Sequence, residues 1–246
     1  MIGEVTYFSE RGVREVNQDA IYASAKGDRG IFVVADGMGG HFGGEIASGA
    51  IVNGVKKWWS SNDFGMEKAG IDSIVEQCGI LLTNINREVY SLFCQKGQVG
   101  GSTVAVLILC DDRYEILSAG DSRIYRARGK TLKQLTTDDV WENLPEVKYA
   151  MSDEQMKNDM RFGKLTEALG SAERLKVRRE GGILMGKDVF LLCSDGVYRY
   201  CSREELEKIL CGGAVFRSMA RKKEMIRKCV LRGGMDDNYS AILCSV

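Results

Sequence analysis

The chain has 246 residues, of which 44% are hydrophobic and 28% are charged, ordinary values for a soluble globular protein. Its 34 acidic and 34 basic side chains cancel, so the overall charge does not favour binding to nucleic acid or to an anionic membrane. We therefore expect neither nucleic acid nor a membrane among its partners.

Apolar runs and cysteine spacing indicate whether a protein is cytoplasmic, secreted or embedded in a membrane. No apolar run is long enough to cross a bilayer, and the first residues lack the basic start, apolar core and cleavage site of a signal peptide. The eight cysteines are scattered without a C-x-x-C pair, and there is one histidine, which argues against a zinc cage and a secreted disulfide framework. We expect a cytoplasmic protein with reduced thiols.

Short runs rich in β-branched and aromatic residues, bounded by Gly, Asp and Asn, predict strands along the whole chain. In chain order these runs are residues 5–9, 20–25, 31–35, 103–110, 114–119, 122–128, 132–135, 175–180, 189–193 and 239–245. The stretches ILCDDRYEIL and YRARGKTLKQL each place a turn between two such runs and therefore predict hairpins.

Helical periodicity predicts four helices, at residues 45–60, 66–95, 202–210 and 214–231. The third begins with a capping box formed by Ser202 and Glu205. Residues 136–170 are polar and contain the only proline, and we predict that they form a mobile flap. Two helices follow the first strands and two lie near the end, which predicts one α+β domain over residues 1–246, with two antiparallel sheets flanked by helix pairs.

The stretch IFVVADGMGGHFGGEIAS, residues 31–48, is unusual. An apolar strand ends in Asp36 and is followed by five glycines within eight residues, and then by a helix. One or two glycines suffice for such a turn, so the larger number suggests that a ligand or another backbone comes close to it. Asp-Gly is also a common turn pair, so Asp36 taken alone fits an ordinary turn residue.

Acidic residues recur at the ends of predicted strands. Asp121 and Asp195 follow strands, as Asp36 does, whereas Asp19 and Asp237 precede strands. Because the end of one antiparallel strand lies beside the start of its neighbour, these acids can gather at one edge of a sheet. Clustered carboxylates repel one another unless protons or cations compensate, and oxygen ligands favour Mg²⁺ or Mn²⁺ over Zn²⁺.

Seven stretches occur in order from the first strand to the last residue: RGVREVNQD, VVADGMGGHFGGEIAS, GGSTVAVLIL, LSAGDSRIYRARG, LTEALG, LLCSDGV and DDNYSAILC. In these motifs the chain resembles the metal-dependent protein serine/threonine phosphatase family, the protein phosphatase 2C-like group, in its compact bacterial form. The resemblance implies a four-layer αββα sandwich. It also implies hydrolysis of phosphoserine and phosphothreonine in proteins by a water that bridges two Mn²⁺ or Mg²⁺ ions, and a serine/threonine protein kinase as functional partner.

The resemblance assigns metal ligands in this chain. It implies that Asp36 bridges the two core ions and that the carbonyl oxygen of Gly37 binds one of them. Asp195 and Asp237 would hold the second ion. Asp121, together with Asp195, would supply the third metal site that bacterial members have.

Further roles, and departures from the family pattern, lie close to these ligands. The resemblance implies that Asp19 orients the attacking water and that Arg14 binds the substrate phosphate, although a lone arginine is by default a surface residue. Met38 stands where eukaryotic members have a histidine that protonates the leaving group, and Gln18 stands where many members have glutamate. The only histidine, His41, could donate that proton instead, but an exposed loop histidine is the simpler interpretation. The flap region matches the family poorly.

Cysteine-dependent phosphatases are an alternative, because their Cys-x5-Arg signature occurs twice. The first match runs from Cys193 to Arg199 and contains Asp195, whose carboxylate would repel a phosphate. The second runs from Cys211 to Arg217, and Cys211 ends a predicted helix, whose dipole disfavours a thiolate.

A non-enzymatic alternative is a catalytically weak or degenerate family member that acts as a phosphoprotein-binding regulatory module. The presence of Asp36, Asp195 and Asp237 favours an active enzyme. A cyclase or a sporulation-type regulatory phosphatase of the same superfamily is a narrower alternative.

Overall fold

The structure is a computed structural model, and it describes residues 1–39, 43–62, 69–212 and 218–246. In this part of the chain, eleven strands form two antiparallel sheets. The first sheet comprises β1 (Val5–Glu10), β7 (Arg123–Arg128), β8 (Thr131–Gln134), β10 (Val189–Cys193) and β11 (Tyr239–Ser245), in the order β1-β11-β10-β7-β8. The second comprises β2 (Asp19–Lys26), β3 (Arg29–Met38), β4 (Gly101–Ser102), β5 (Val104–Cys110), β6 (Arg113–Ala119) and β9 (Arg178–Ile183), in the order β2-β3-β5-β6-β9, with β4 paired to β3.

Helices cover the outer face of each sheet. On the second sheet lie α1 (Gly44–Ser61) and α2 (Ile71–Lys96), and on the first lie α5 (Asp195–Tyr198), α6 (Arg203–Leu210) and α7 (Met219–Gly233). The short helices α3 (Pro145–Ala150) and α4 (Asp153–Lys157) connect β8 to β9. The fold is a four-layer αββα sandwich, so the predicted α+β class is confirmed. None of the described helices combines the length and the apolar character needed to span a membrane.

Side chains of β3 alternate between two buried layers. Ile31 and Val33 belong to the core cluster beneath α1 and α2, while Phe32 and Val34 belong to the cluster between the two sheets. Both faces of this sheet are buried, which explains why the strand is a continuous apolar run instead of an alternating one. The first charged side chain after this run is Asp36.

The predicted hairpins are confirmed, since β5 pairs with β6 and β7 pairs with β8. The predicted strand at residues 175–180 has the wrong boundary, because β9 begins at Arg178, opposite Ser118 of β6. The N–H of Lys176, before that point, donates to Glu167 Oε2 and does not join the ladder. The two-residue strand β4 was not predicted.

The helices α2 and α7 begin later in the chain than the sequence predicts. α2 begins at Ile71, because the carbonyl oxygen of Gly70 accepts the first N–H groups of the helix. α7 begins at Met219, because the side chain of Ser218 accepts a hydrogen bond from the N–H of Arg221 at 3.2 Å. The predicted helical residues 66–68 and 214–217 lie outside the described residues.

The predicted flap, residues 136–170, contains more structure than its sequence suggests. Alongside α3 and α4 it has a short 3-10 turn (Trp141–Asn143) and a small core formed by Trp141, Val147 and Met156. Its end is tied to the second sheet by the bridge between Ser102 and Leu169. The mobility of this segment stays a prediction.

Candidate metal centre

The antiparallel register of β2 and β3 brings two acids together. Asp19, the first residue of β2, lies directly opposite Asp36 in β3. The backbone of Asp36 is fixed, because its N–H donates to Thr103 Oγ1 at 3.0 Å and its carbonyl oxygen accepts from the N–H of Thr103 at 2.9 Å. The pairing of β2 with β3 and the two bonds with Thr103 therefore place Asp19 and Asp36 side by side.

Three more acids reach the same place from the ends of other strands. Asp121 lies in the turn between β6 and β7, Asp195 is the first residue of α5, shortly after β10, and Asp237 precedes β11. Together with Asp36 they line one open groove of about 880 Å³. Asp19 lies beside Asp36 and is itself buried, with 8% of its surface exposed. The structure thus gathers all five acids.

Two arginines that also line the groove compensate part of this negative charge. Arg14 donates from Nε to the carbonyl oxygen of Asp236 at 2.8 Å, and its Nη2 lies 3.1 Å from Asp237 Oδ2. Arg199 Nη2 lies 2.7 Å from Asp195 Oδ2. The family resemblance indicated Arg14, whereas Arg199 was noted only as the end of a Cys-x5-Arg match. Arg199 lies four residues after Asp195, a spacing at which side chains meet on a helix, and this spacing could have indicated the Asp195–Arg199 pair.

Asp19 has one carboxyl oxygen that finds no partner in the described part of the protein. Its Oδ2 accepts a hydrogen bond from Ser194 Oγ at 2.8 Å, whereas its Oδ1 is buried and unpaired. An unpaired buried oxygen is unfavourable, so it indicates a ligand or an ordered water at this position.

Burial raises the pKa of the carboxyl groups in the cluster. It raises the pKa of Asp19 and of Asp121 to about 6, and it raises the pKa of Asp36 well above 3.8, with a further contribution from the neighbouring acids. Burial also raises the pKa of Asp195, while Arg199 lowers it. The folded chain therefore binds these protons more tightly than the unfolded chain, and these groups destabilise the fold as the pH rises from 3.8 to about 6.

These observations fit a hard cation. The groove offers carboxylate and carbonyl oxygens and neither imidazole nor thiolate among its described lining residues. A divalent ion would favour the charged carboxylates against burial and against their mutual repulsion, and its water molecules could satisfy the unpaired oxygen of Asp19. Mn²⁺ or Mg²⁺ matches this set of donors better than Zn²⁺ does.

Gly37 and Gly44 account for part of the glycine-rich stretch. A Cβ atom on Gly37 would lie 2.2 Å from the carbonyl oxygen of Gly44 and 2.7 Å from that of Gln18. The end of β3 therefore packs backbone to backbone against the start of α1. Residues 40–42, which include His41, lie outside the described residues, so neither interpretation of this histidine is tested.

Comparison with protein-family models assigns the chain to one family. A family model described as "Protein phosphatase 2C" matches residues 9–229, which is most of the chain. The chain belongs to this family. The matched range includes Asp36 and Asp195, whereas Asp237 lies beyond its end.

Relatives of this protein phosphatase 2C chain include named bacterial phosphatases. It is 28% identical over 241 residues to the serine/threonine phosphatase stp of Listeria monocytogenes serotype 4b, covering 96% of the chain and 92% of the relative. It is also 28% identical over 244 residues to the serine/threonine protein phosphatase PstP of Mycobacterium tuberculosis, covering 97% of the chain but 44% of the relative.

Solved structures of the protein phosphatase 2C fold match the whole architecture. PppA, described as a key regulatory component of T6SS in Pseudomonas aeruginosa, has a TM-score of 0.81 at 27% identity and covers 98% of this chain and 96% of its own. The catalytic domain of PstP in complex with two manganese ions has a TM-score of 0.79 at 23% identity and covers 99% of this chain and 98% of its own.

Cysteine-based catalysis does not fit this protein phosphatase 2C chain. Cys193 is fully buried in the core beneath α6 and α7, and burial raises the pKa of its thiol, so it is neutral and inaccessible. Cys211 follows α6, and burial raises the pKa of its thiol as well. Arg217, the other end of that match, lies outside the described residues.

Two further side chains near the acids were missed by sequence reasoning. Tyr198 donates a hydrogen bond to Asp121 Oδ2 at 3.0 Å, and the guanidinium of Arg123 lies 3.5 Å from the centre of the Tyr198 ring. Asn238 accepts from the N–H of Gln18 at 2.8 Å and donates to two carbonyl oxygens of the segment before β2. These contacts join residues far apart in the chain, so only the fold shows them.

Proposed function

We propose that the chain is a metal-dependent phosphatase that hydrolyses phosphoserine and phosphothreonine in proteins. The observation that carries this proposal is the convergence of Asp36, Asp195 and Asp237 on an open groove beside Arg14. Membership of the protein phosphatase 2C family supports it, as do the names of the bacterial relatives.

We propose that Asp36, the carbonyl oxygen of Gly37, Asp195 and Asp237 hold two Mn²⁺ or Mg²⁺ ions. When bound, two such ions lower the pKa of the water that they share and offset the charge of the phosphoryl oxygens. Asp121 and Asp195 would hold a third ion. Because one oxygen of Asp121 already accepts a hydrogen bond from a tyrosine, few protein oxygens remain there and this ion would bind loosely.

Other residues of the groove act on water and substrate. Asp19 would orient the attacking water, and a pKa of about 6 leaves it ionised at neutral pH, as an acceptor must be. Arg14 would turn from Asp237 to the substrate and make a bidentate contact with the phosphate. Met38 has no proton to give to the serine or threonine oxygen that leaves phosphorus. A water molecule in the groove would protonate that oxygen and would regain a proton from the one that the attacking water loses.

The form of the groove favours a protein substrate. It is open to solvent, and one side is formed by the flap residues Gly163, Lys164 and Leu165. A phosphorylated segment of another protein can lie along such a surface. We propose that the substrates are cytoplasmic targets of a serine/threonine protein kinase, or the kinase itself. The alternative of a phosphoprotein-binding module is not favoured, because Asp36, Asp195 and Asp237 are all at the groove.

Phosphate release from a phosphothreonine peptide tests this function. We expect turnover in Mn²⁺, none in excess chelator, and recovery when Mn²⁺ is restored. The variant Cys193→Ser is the control for cysteine chemistry and should retain wild-type turnover. Binding of the peptide without phosphate release would support the binding module, and full activity in chelator would contradict the proposal.

A further inference from the structure

Arg199 lies between two of the proposed metal ligands. Its Nη2 is 2.7 Å from Asp195 Oδ2, and its Nη1 is 3.9 Å from Asp237 Oδ2. The same oxygen of Asp237 is also 3.1 Å from Arg14 Nη2. The guanidinium of Arg199 therefore contacts both carboxylates, closely at Asp195 and more distantly at Asp237.

The backbone beneath Arg199 is fixed. Its N–H donates to the carbonyl oxygen of Asp195 at 3.0 Å, which closes the single turn of α5. A Cβ atom on Gly196 would lie 2.0 Å from the carbonyl oxygen of Asn238, so α5 has no room to shift against the start of β11. The Arg199 side chain is 50% exposed. The guanidinium, unlike the backbone, can therefore turn away into the groove.

Two roles for an arginine at a metal site have opposite consequences. A guanidinium behind a metal-binding carboxylate orients it and strengthens metal binding. A guanidinium between two carboxylates takes the oxygens that the cation needs and repels the incoming positive charge. Arg199 contacts both Asp195 and Asp237, which fits the competing role and not the orienting one.

We propose that Arg199 competes with the metal ion for Asp195 and Asp237, so that an ion binds only by displacing its guanidinium. This inference rests on the proposed metal site and deepens it, since it names a residue that lowers the metal affinity of this chain. The phosphatase activity should then rise with the concentration of free metal ion, because the ion is bound weakly and exchanges with solution.

Calorimetric titration with Mn²⁺ alone, without substrate, tests the competition. We expect Arg199→Ala to bind Mn²⁺ about tenfold more tightly than the wild-type chain, a change of about 1.4 kcal/mol. Arg199→Gln, which keeps the length of the side chain, should shift in the same direction. The control is Arg221→Ala, which removes an exposed arginine of α7 that does not line the groove and should leave the affinity unchanged.

Thermal melting separates competition from a structural role. Mn²⁺ should raise the melting temperature of Arg199→Ala more than that of the wild-type chain. A structural role would lower the melting temperature equally with and without Mn²⁺. Unchanged or weaker Mn²⁺ binding in both Arg199 variants overturns the competition. A wild-type chain that binds no Mn²⁺ would instead refute the proposed metal site itself.

Discussion

Asp36→Asn should abolish phosphate release while leaving the fold intact. The change removes the carboxylate that is proposed to bridge two ions, and a loss of about 4 kcal/mol of transition-state stabilisation lowers turnover by roughly a thousandfold. The metal-free chain should melt at the same or a higher temperature, because burial and neighbouring acids already disfavour a charge at Asp36. Turnover in Mn²⁺ and melting in chelator measure the two effects.

Asp153→Asn is a suitable control for Asp36→Asn, because Asp153 is an exposed acid at the start of α4. It should change neither turnover nor melting appreciably. If Asp36→Asn melted much earlier in chelator and kept its turnover, Asp36 would be an ordinary turn residue and the metal assignment would be wrong.

Gly37→Ala should damage both stability and activity. The added methyl group would lie 2.2 Å from the carbonyl oxygen of Gly44 and 2.7 Å from that of Gln18, and these are backbone atoms that cannot rotate away. Such overpacking costs about 1–3 kcal/mol, which is roughly 3–10 °C in melting temperature for a chain of this size. Turnover should fall as well, because the carbonyl oxygen of Gly37 would move from its proposed ion.

Gly49→Ala is the matched control for Gly37→Ala. Gly49 lies within α1, and a Cβ atom there would meet no heavy atom within 4 Å. Alanine is the better helix former by about 1 kcal/mol, so this variant should melt at the same or a slightly higher temperature. Equal melting of both variants would contradict the close backbone packing at Gly37.

Much of the fold was predictable because its strands are short and apolar. The runs around Phe32 and Leu107 have both faces buried, and the turn residues between them mark the hairpins. The boundaries were less predictable, since they depend on single hydrogen bonds such as the one from Lys176 N–H to Glu167. The helices of the flap were missed because each is six residues or shorter.

The acidic residues of the candidate site were predictable from the sequence, whereas the side chains that contact them were not. Asp36, Asp121 and Asp195 were found because each follows an apolar strand, and strand ends meet at one edge of a sandwich. Tyr198 was not found, since a lone tyrosine has no distinctive pattern. The spacing of Arg199 from Asp195 indicates a pair only if a helix begins at Asp195, and that short helix was not predicted. Their role depends on where α5 lies relative to acids from other strands, which only the fold determines.

Anomalous diffraction from crystals soaked in Mn²⁺ tests the central claim most directly, namely that the acidic groove is a metal centre. We predict two strong manganese peaks within coordination distance of Asp36, with Asp195 and Asp237 among the ligands and the carbonyl oxygen of Gly37 on one of the two ions. A third, weaker peak beside Asp121 is expected at higher Mn²⁺ concentration. A groove without a manganese peak, in crystals of a chain that remains folded, would contradict the account.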